Sequence, residues 1–240
     1  MNNPGTTESR IIVPLDYSDQ NQVFELVDKF EPSMCKLKVG KELFTATGPK
    51  LIDKLMTRGF DIFLDLKFHD IPTTVAKACC AAASLGIWMV NVHAMGGQKM
   101  LALVREEIDK LRYKPLVIAV TVLTSMNESD LKQLGINCTV QEQVLKLATL
   151  AKNTGLDGIV CSALEATMMR KEFGKEFCLV TPGIRPSGSK QDDQSRIMTP
   201  REAISAGSDY LVIGRPITQS PDPLQALINI NEEINTAIKN

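Results

Sequence analysis

Short apolar runs rich in β-branched residues alternate along the chain with longer stretches in which apolar side chains recur every three to four positions. The short runs are Ile11–Leu15, Met34–Val39, Asp61–Leu66, Trp88–His93, Leu116–Val122, Gly158–Cys161, Cys178–Thr181 and Tyr210–Ile213. Their length and residue types predict buried β-strands. Between them the periodicity predicts helices over Asp19–Phe30, Pro49–Arg58, Thr73–Leu85, Gln98–Leu111, Val140–Asn153, Ala163–Phe173 and Pro200–Ala206. A last helix is predicted over Pro223–Ile238. The stretch Val140–Asn153 shows the pattern well: Val144, Leu147, Ala148 and Ala151 share one face, while Glu142, Lys146 and Lys152 can reach water.

Strict alternation of strand and helix implies a parallel sheet with right-handed crossovers. Eight repeats within 240 residues, with no Pro/Gly/Ser linker or shift in composition, predict a single-domain α/β fold, a closed (β/α)8 TIM barrel. An open doubly wound sheet is the alternative, because periodicity does not reveal closure. Gly96-Gly97 lacks the Gly-x-Gly-x-x-Gly pattern that a dinucleotide site on such a sheet would carry. Residues 1–10 are polar and are expected to be loosely held.

Composition narrows the function. Lys and Arg number 27 against 28 Asp and Glu, a net charge of −1, which argues against a general nucleic-acid binder. The longest nearly apolar run, Ala78 to Val90, is broken by Ser84 and Gly86 and is too short for a bilayer. Met1 to Arg10 has no basic and apolar signal pattern, so a cytoplasmic location is expected. Cys35, Cys79, Cys80, Cys138, Cys161 and Cys178 form no C-x-x-C pair and read as buried free thiols. With His69 and His93 the only histidines, nitrogen ligands for a metal are few.

A barrel gathers its chemistry at the carboxyl ends of the strands. There the first strand ends in Asp16, the second carries Lys38, and the third runs into Asp65-Leu66-Lys67-Phe68-His69-Asp70-Ile71-Pro72. A period of two places Asp65 and Lys67 on one side, with Asp70 in reach if the chain turns at Pro72. Five ionisable groups around one mouth are poorly explained by stability, since buried ion pairs return little of it. His93 ends the fourth strand and fits a core hydrogen bond as well as a ligand contact, while Thr124-Ser125 end the fifth. Pro182-Gly183-Ile184-Arg185 follow the seventh strand and Gly214-Arg215 the eighth, where barrels often bind phosphate. Arg215 offers a planar fork for that anion, and Gly214 permits close backbone approach. The polar segment Pro186–Met198, carrying Gln194, suits a lid over it.

These residues resemble the orotidine 5′-phosphate decarboxylase family, and the resemblance covers nearly the whole chain. It rests on Asp16 in IVPLDY, Lys38 in KLKVGKELF, DLKFHDIPTTV at 65–75, VNVHAMGG at 90–97 and VTVLTS at 120–125. It continues through TPGIRP at 181–186, DDQSR at 192–196, TP at 199–200 and GSDYLVIGRPIT at 207–218. Thr73 stands where many members have Asn, a difference that leaves the expected activity intact. The resemblance implies conversion of orotidine 5′-monophosphate to UMP and CO2 without cofactor or metal. It implies Lys67 as proton donor to C6, Asp65 and Asp70 beside the reacting carboxylate, and Lys38 completing the charge array. Asp16 and Lys38 would contact the ribose, and Thr124 or Ser125 the pyrimidine. Pro182 is expected to line the substrate site, and Arg185, Gln194, Gly214 and Arg215 to bind or cover the phosphate. Asp70, Ile71 and Thr74 would cross a homodimer interface into the partner's site.

Two other readings compete. Related barrels, the 3-keto-gulonate-6-phosphate decarboxylases and hexulose-phosphate synthases, share a similar Asp-x-Lys-x-x-Asp strand but use Mg²⁺. Lys38, the IPTT sequence and the LTS block favour the nucleotide substrate. A barrel that only binds a nucleotide phosphate would not require the intact Asp65, Lys67 and Asp70 set.

Overall fold

A computed structural model describes residues 9–186 and 198–238. In chain order the elements are β1 (Ile11–Pro14), α1 (Gln20–Val27), β2 (Lys36–Gly40), α2 (Lys41–Thr47), α3 (Pro49–Thr57), β3 (Ile62–Phe68) and α4 (Pro72–Ser84). Next come β4 (Met89–His93), a 3-10 turn, α5 (Gly97–Asp109), β5 (Leu116–Val120), α6 (Glu128–Gln133), α7 (Val140–Asn153) and β6 (Gly158–Val160). A second 3-10 turn, α8 (Ala166–Phe173), β7 (Cys178–Thr181), α9 (Pro200–Ser205), β8 (Tyr210–Val212), α10 (Arg215–Thr218) and α11 (Pro223–Ile238) complete the fold.

All strand pairs are parallel, and β8 returns to β1, with Ile11 opposite Leu211 and Ile12 opposite Val212. The sheet is therefore closed, which excludes the open doubly wound alternative. Closure also reaches past β1: Ser9 Oγ donates to the Met34 carbonyl at 2.6 Å, and Leu211 N–H donates to the Arg10 carbonyl at 2.8 Å. Those two residues are thus held, although the polar N-terminal stretch was expected to be loose.

Residue parity along the strands builds two cores, because successive side chains point to opposite faces of a sheet. Ile11, Val13, Leu37, Leu64, Val90 and Leu179 face outward and meet the helices in one continuous apolar layer. Ile12, Phe63, Met89, Ile118 and Val180 face inward and fill the barrel's middle. At about 1.5–3 kcal/mol for each fully buried large side chain, both layers hold the barrel in shape. Gly158 starts β6 without a side chain because a Cβ there would collide with the Cys178 carbonyl on β7.

Eight helices lie outside the barrel as the periodicity predicts, but α2, α6 and α10 were not foreseen. They span only 7, 6 and 4 residues, too short for a helical period to show. All three sit between a strand's carboxyl end and the following outer helix, on the side where barrels carry chemistry.

Candidate active site

A cavity of about 510 Å³ opens at the carboxyl ends of the strands. Phe63 of the inner core forms its floor. Asp16, Lys38, Asp65 and Lys67 line one wall, while Thr124, Pro182, Arg185, Gly214 and Arg215 line the rest. Nine of the candidates read from the sequence, Phe63 not among them, thus gather around one opening.

The charged wall is ordered around Asp65. One oxygen, Oδ1, accepts from Lys67 Nζ at 2.6 Å, and the other, Oδ2, lies 3.2 Å from Lys38 Nζ. Lys38 also lies 3.5 Å from the exposed carboxylate of Asp16. Burial by itself would push the Asp65 carboxyl upward. The ammonium groups of Lys38 and Lys67, with hydrogen bonds from Lys67 and Asn91, outweigh it and hold Asp65 below the usual carboxylate range. Asp65 is therefore a firmly ionised anion that keeps two cations in place.

Asp65 and Lys67 meet as expected, but not through a regular two-residue pleat. Leu64 pairs with Val90, and the next pairing is Phe68 with Val92, so β3 carries two extra residues against β4. Lys67 sits in that bulge with φ of +50°, in the left-handed region that side chains rarely adopt. Asn91, fully buried on β4, fills the gap: its Oδ1 accepts from the Lys67 N–H at 2.8 Å, and its Nδ2 donates to Asp65 Oδ1 at 2.7 Å. Sequence reasoning passed over Asn91. The one available signal was a lone amide on the inward face of the apolar strand MVNVH.

Across the cavity the backbone is drawn tight. Gly214 packs on the Pro14 ring, where a Cβ would stand 3.0 Å from Cγ, so this glycine serves the strand seam as well as the opening. Arg215 follows as the first residue of α10. Arg185 is buried, and its Nη1 donates to the Ile184 carbonyl at 3.1 Å. Ile184 pairs with Met198, and Arg185 N–H donates to the Met198 carbonyl at 3.0 Å. Gln194, and most of the segment expected to act as a lid, lie outside the described residues. Gln219, just after α10, also lines the cavity and had not been singled out.

Four candidates stay outside this cavity in the single chain. Asp70 is exposed, and its Oδ1 accepts from the N–H of Ile71 at 2.6 Å, closing the turn into α4. Asp70 is thus engaged at the turn and is not part of the cavity lining that holds Asp65 and Lys67. Ile71 is 64% exposed and Thr74 is exposed on the first turn of α4. Of the Thr124-Ser125 pair, Thr124 faces the cavity, while Ser125 is exposed and absent from its lining.

His69 and His93 stack near Lys67 with ring centroids 5.4 Å apart. Burial, then the neighbouring His69, Lys67 and Lys41, pulls the His93 pKa down to about 4. Its neutral ring accepts the Met95 N–H at Nδ1 (3.3 Å), a core-type role for the side chain. Among the described residues, no three His, Cys, Asp or Glu side chains cluster as metal ligands, and no helix is long and apolar enough to cross a membrane.

A closed (β/α)8 barrel with a cation-rich, carboxylate-braced cavity at its carboxyl face has the form of a barrel enzyme acting on a small anionic substrate. Residues 9–230 match the orotidine 5′-phosphate decarboxylase / HUMPS family, and the chain belongs to it. A protein of Saccharophagus degradans named orotidine 5′-phosphate decarboxylase is 56% identical over 230 residues, covering 96% of this chain and 97% of its own. One from Nitrosomonas eutropha with the same name is 58% identical over 231 residues, covering 96% and 99%. The crystal structure of orotidine 5′-phosphate decarboxylase from Lactobacillus acidophilus superposes with a TM-score of 0.83 at 39% identity, covering 95% of this chain and all of the other.

Proposed function

We propose that this chain is a carboxy-lyase of pyrimidine nucleotide synthesis that converts orotidine 5′-monophosphate to UMP and CO2, with Lys67 as the proton donor. The observation that carries the mechanism is the Lys67 ammonium, held at the cavity wall by the ionised Asp65 at 2.6 Å. Cleavage of the bond between C6 and the carboxylate leaves its electron pair on C6, where resonance offers little help. A fixed cation beside that carbon stabilises the developing charge, and transfer of a proton from Nζ to C6 completes UMP. Asp65 orients Lys67, and Lys38 braces Asp65 from the other side.

The other candidates take roles suited to their places. Asp16 and Lys38 meet the ribose hydroxyls, Thr124 the pyrimidine, and Arg185, Gly214 and Arg215 the phosphate, with Pro182 shaping the wall between them. Phosphate binding, remote from C6, supplies binding energy that the chemical step can use. Asp70, turned out of its own cavity beside the exposed Ile71 and Thr74, enters the site of a second copy in a homodimer. The reaction belongs in the cytoplasm and involves neither nucleic acid nor membrane.

The test is an assay of orotidine 5′-monophosphate loss in metal-free buffer. Turnover that survives EDTA is expected, while loss with EDTA would favour the Mg²⁺-dependent barrels. Mixing inactive Lys67→Ala and Asp70→Ala subunits should restore part of the activity through one complete site per heterodimer. No recovery after demonstrated subunit exchange would overturn the shared site.

A further inference from the structure

We infer that Asn91 is a positioning residue for the decarboxylation, one that aims Lys67 by holding its backbone and its carboxylate partner at once. The inference rests on the reading of Lys67 as proton donor and concerns a residue that lines no part of the cavity. Asn91 is completely buried and reaches the site only through Lys67 and Asp65.

Three observations converge on this amide. The β3–β4 ladder skips from Leu64 opposite Val90 to Phe68 opposite Val92, leaving Asn91 as the β4 residue that faces the bulge. The Lys67 N–H, turned away from the regular ladder, finds the Asn91 Oδ1 instead. Among the described residues, Lys67 alone combines a side chain with a positive φ, so its backbone needs an outside hold to stay there. Lastly, Asn91 Nδ2 donates to the same Asp65 oxygen that receives Lys67 Nζ.

The chemistry of the two bonds fixes the residue type. A backbone N–H can only donate, and an ionised carboxylate can only accept. One short side chain must therefore accept at one edge and donate at the other, which is what a carboxamide does. Leu would fill the space and lose both bonds. Asp would keep the acceptor for Lys67 N–H but, when ionised, set a second carboxylate against Asp65. The groups facing such a carboxyl would be Asp65 and Lys67 on β3, Lys38 on β2 and His93 on β4, while β5 presents Ile118 opposite position 91.

The experiment measures kcat, KM and pH profiles for Asn91→Leu and Asn91→Asp in the full-length enzyme. Misplacing a reacting group by about 1 Å can cost about 10²-fold in rate, so Asn91→Leu should lose roughly that in kcat with KM held within about threefold. Asn91→Asp should be slow at neutral pH and recover as pH falls, because a proton shared with Asp65 restores the missing donor. Wild-type kcat in a folded Asn91→Leu enzyme would overturn the inference, as would equal loss in kcat and substrate binding. If Asn91→Leu does not fold, the Asn91→Asp profile decides: the shape of the wild-type profile overturns it. An active Lys67→Ala enzyme would sink the reading of Lys67 itself. An inactive Lys67→Ala beside an unaffected Asn91→Leu sinks only the positioning role.

Discussion

Lys36 and Lys38 stand two residues apart on β2, and both point into the barrel, yet they meet opposite surroundings. Lys36, at the amino-terminal end, is buried with its Nζ 4.4 Å from the Trp88 ring centroid and 5.9 Å from that of Tyr210. Those rings pack edge to face at 4.9 Å, and Asp61 takes the ammonium at 2.6 Å. Lys38, at the other end, lies between two carboxylates and faces open cavity. One charge is stoppered by aromatic rings; the other is braced and left facing a space that a substrate can enter. The same residue type on the same strand face therefore reads as packing or as chemistry only through what surrounds it, and five substitutions test how far that division holds.

The largest effect belongs to the cavity end. On the proposed mechanism Lys67→Ala takes away both the stabilising cation and the proton donor, and kcat is expected to fall by at least about 10⁴-fold. Retention of near-native turnover in the same assay would put the proton donor elsewhere. Lys38→Met should cost about 10²-fold in kcat/KM, as Asp65 loses one of its two cations. Lys36→Met, its counterpart at the closed end, should leave kcat within about twofold. It should also destabilise by about 1–3 kcal/mol, less than a fully buried broken pair, because Asp61 remains half exposed and hydrated. Denaturant midpoints measured beside kinetics separate the two lysines, and a large kinetic loss in Lys36→Met would erase the division.

Arg215→Ala should raise KM by about 10- to 100-fold through loss of a charge-assisted phosphate contact, with a smaller change in kcat. An unchanged KM would overturn the proposed placement of the phosphate beside β8. The smallest effect is a pH window. The folded state lowers the His93 pKa from 6.5 to about 4, so between those values the unfolded chain binds the extra proton. His93 therefore adds stability in full above pH 6.5, loses it as pH falls toward 4, and adds none below. His93→Gln should flatten the fall in melting temperature across that window, and an unchanged slope would count against a neutral His93.

Local pattern carried much of this architecture. The eight strands, the outer helices and the charged strand ends are each written in a few adjacent residues, so Lys38, Asp65, Lys67 and Arg215 could be assigned to one face of a barrel. Closure could not be read, because the pairing of Ile11 with Leu211 joins residues at opposite ends of the chain. Asn91 escaped notice because its partners exist only where β3 bulges against β4, a mismatch no single strand records. Asp70 shows the converse. Its spacing from Lys67 invites a meeting in one cavity, but in the single chain it is exposed, bonded to the next residue's N–H and outside the cavity lining. Short helices such as α10 depend on a glycine, a proline and tertiary support rather than on a period.

The parallel pairing of Ile184 with Met198 has a consequence for how this fold can diversify. It brings residues 184 and 198 together just after β7, so the chain that joins them has its two ends fixed side by side. Closing a flexible loop costs only about 0.6 kcal/mol more for each doubling of its length. A change in the number of residues between 186 and 198 would therefore add little to the cost of forming the pairing that holds Arg185 in its buried place.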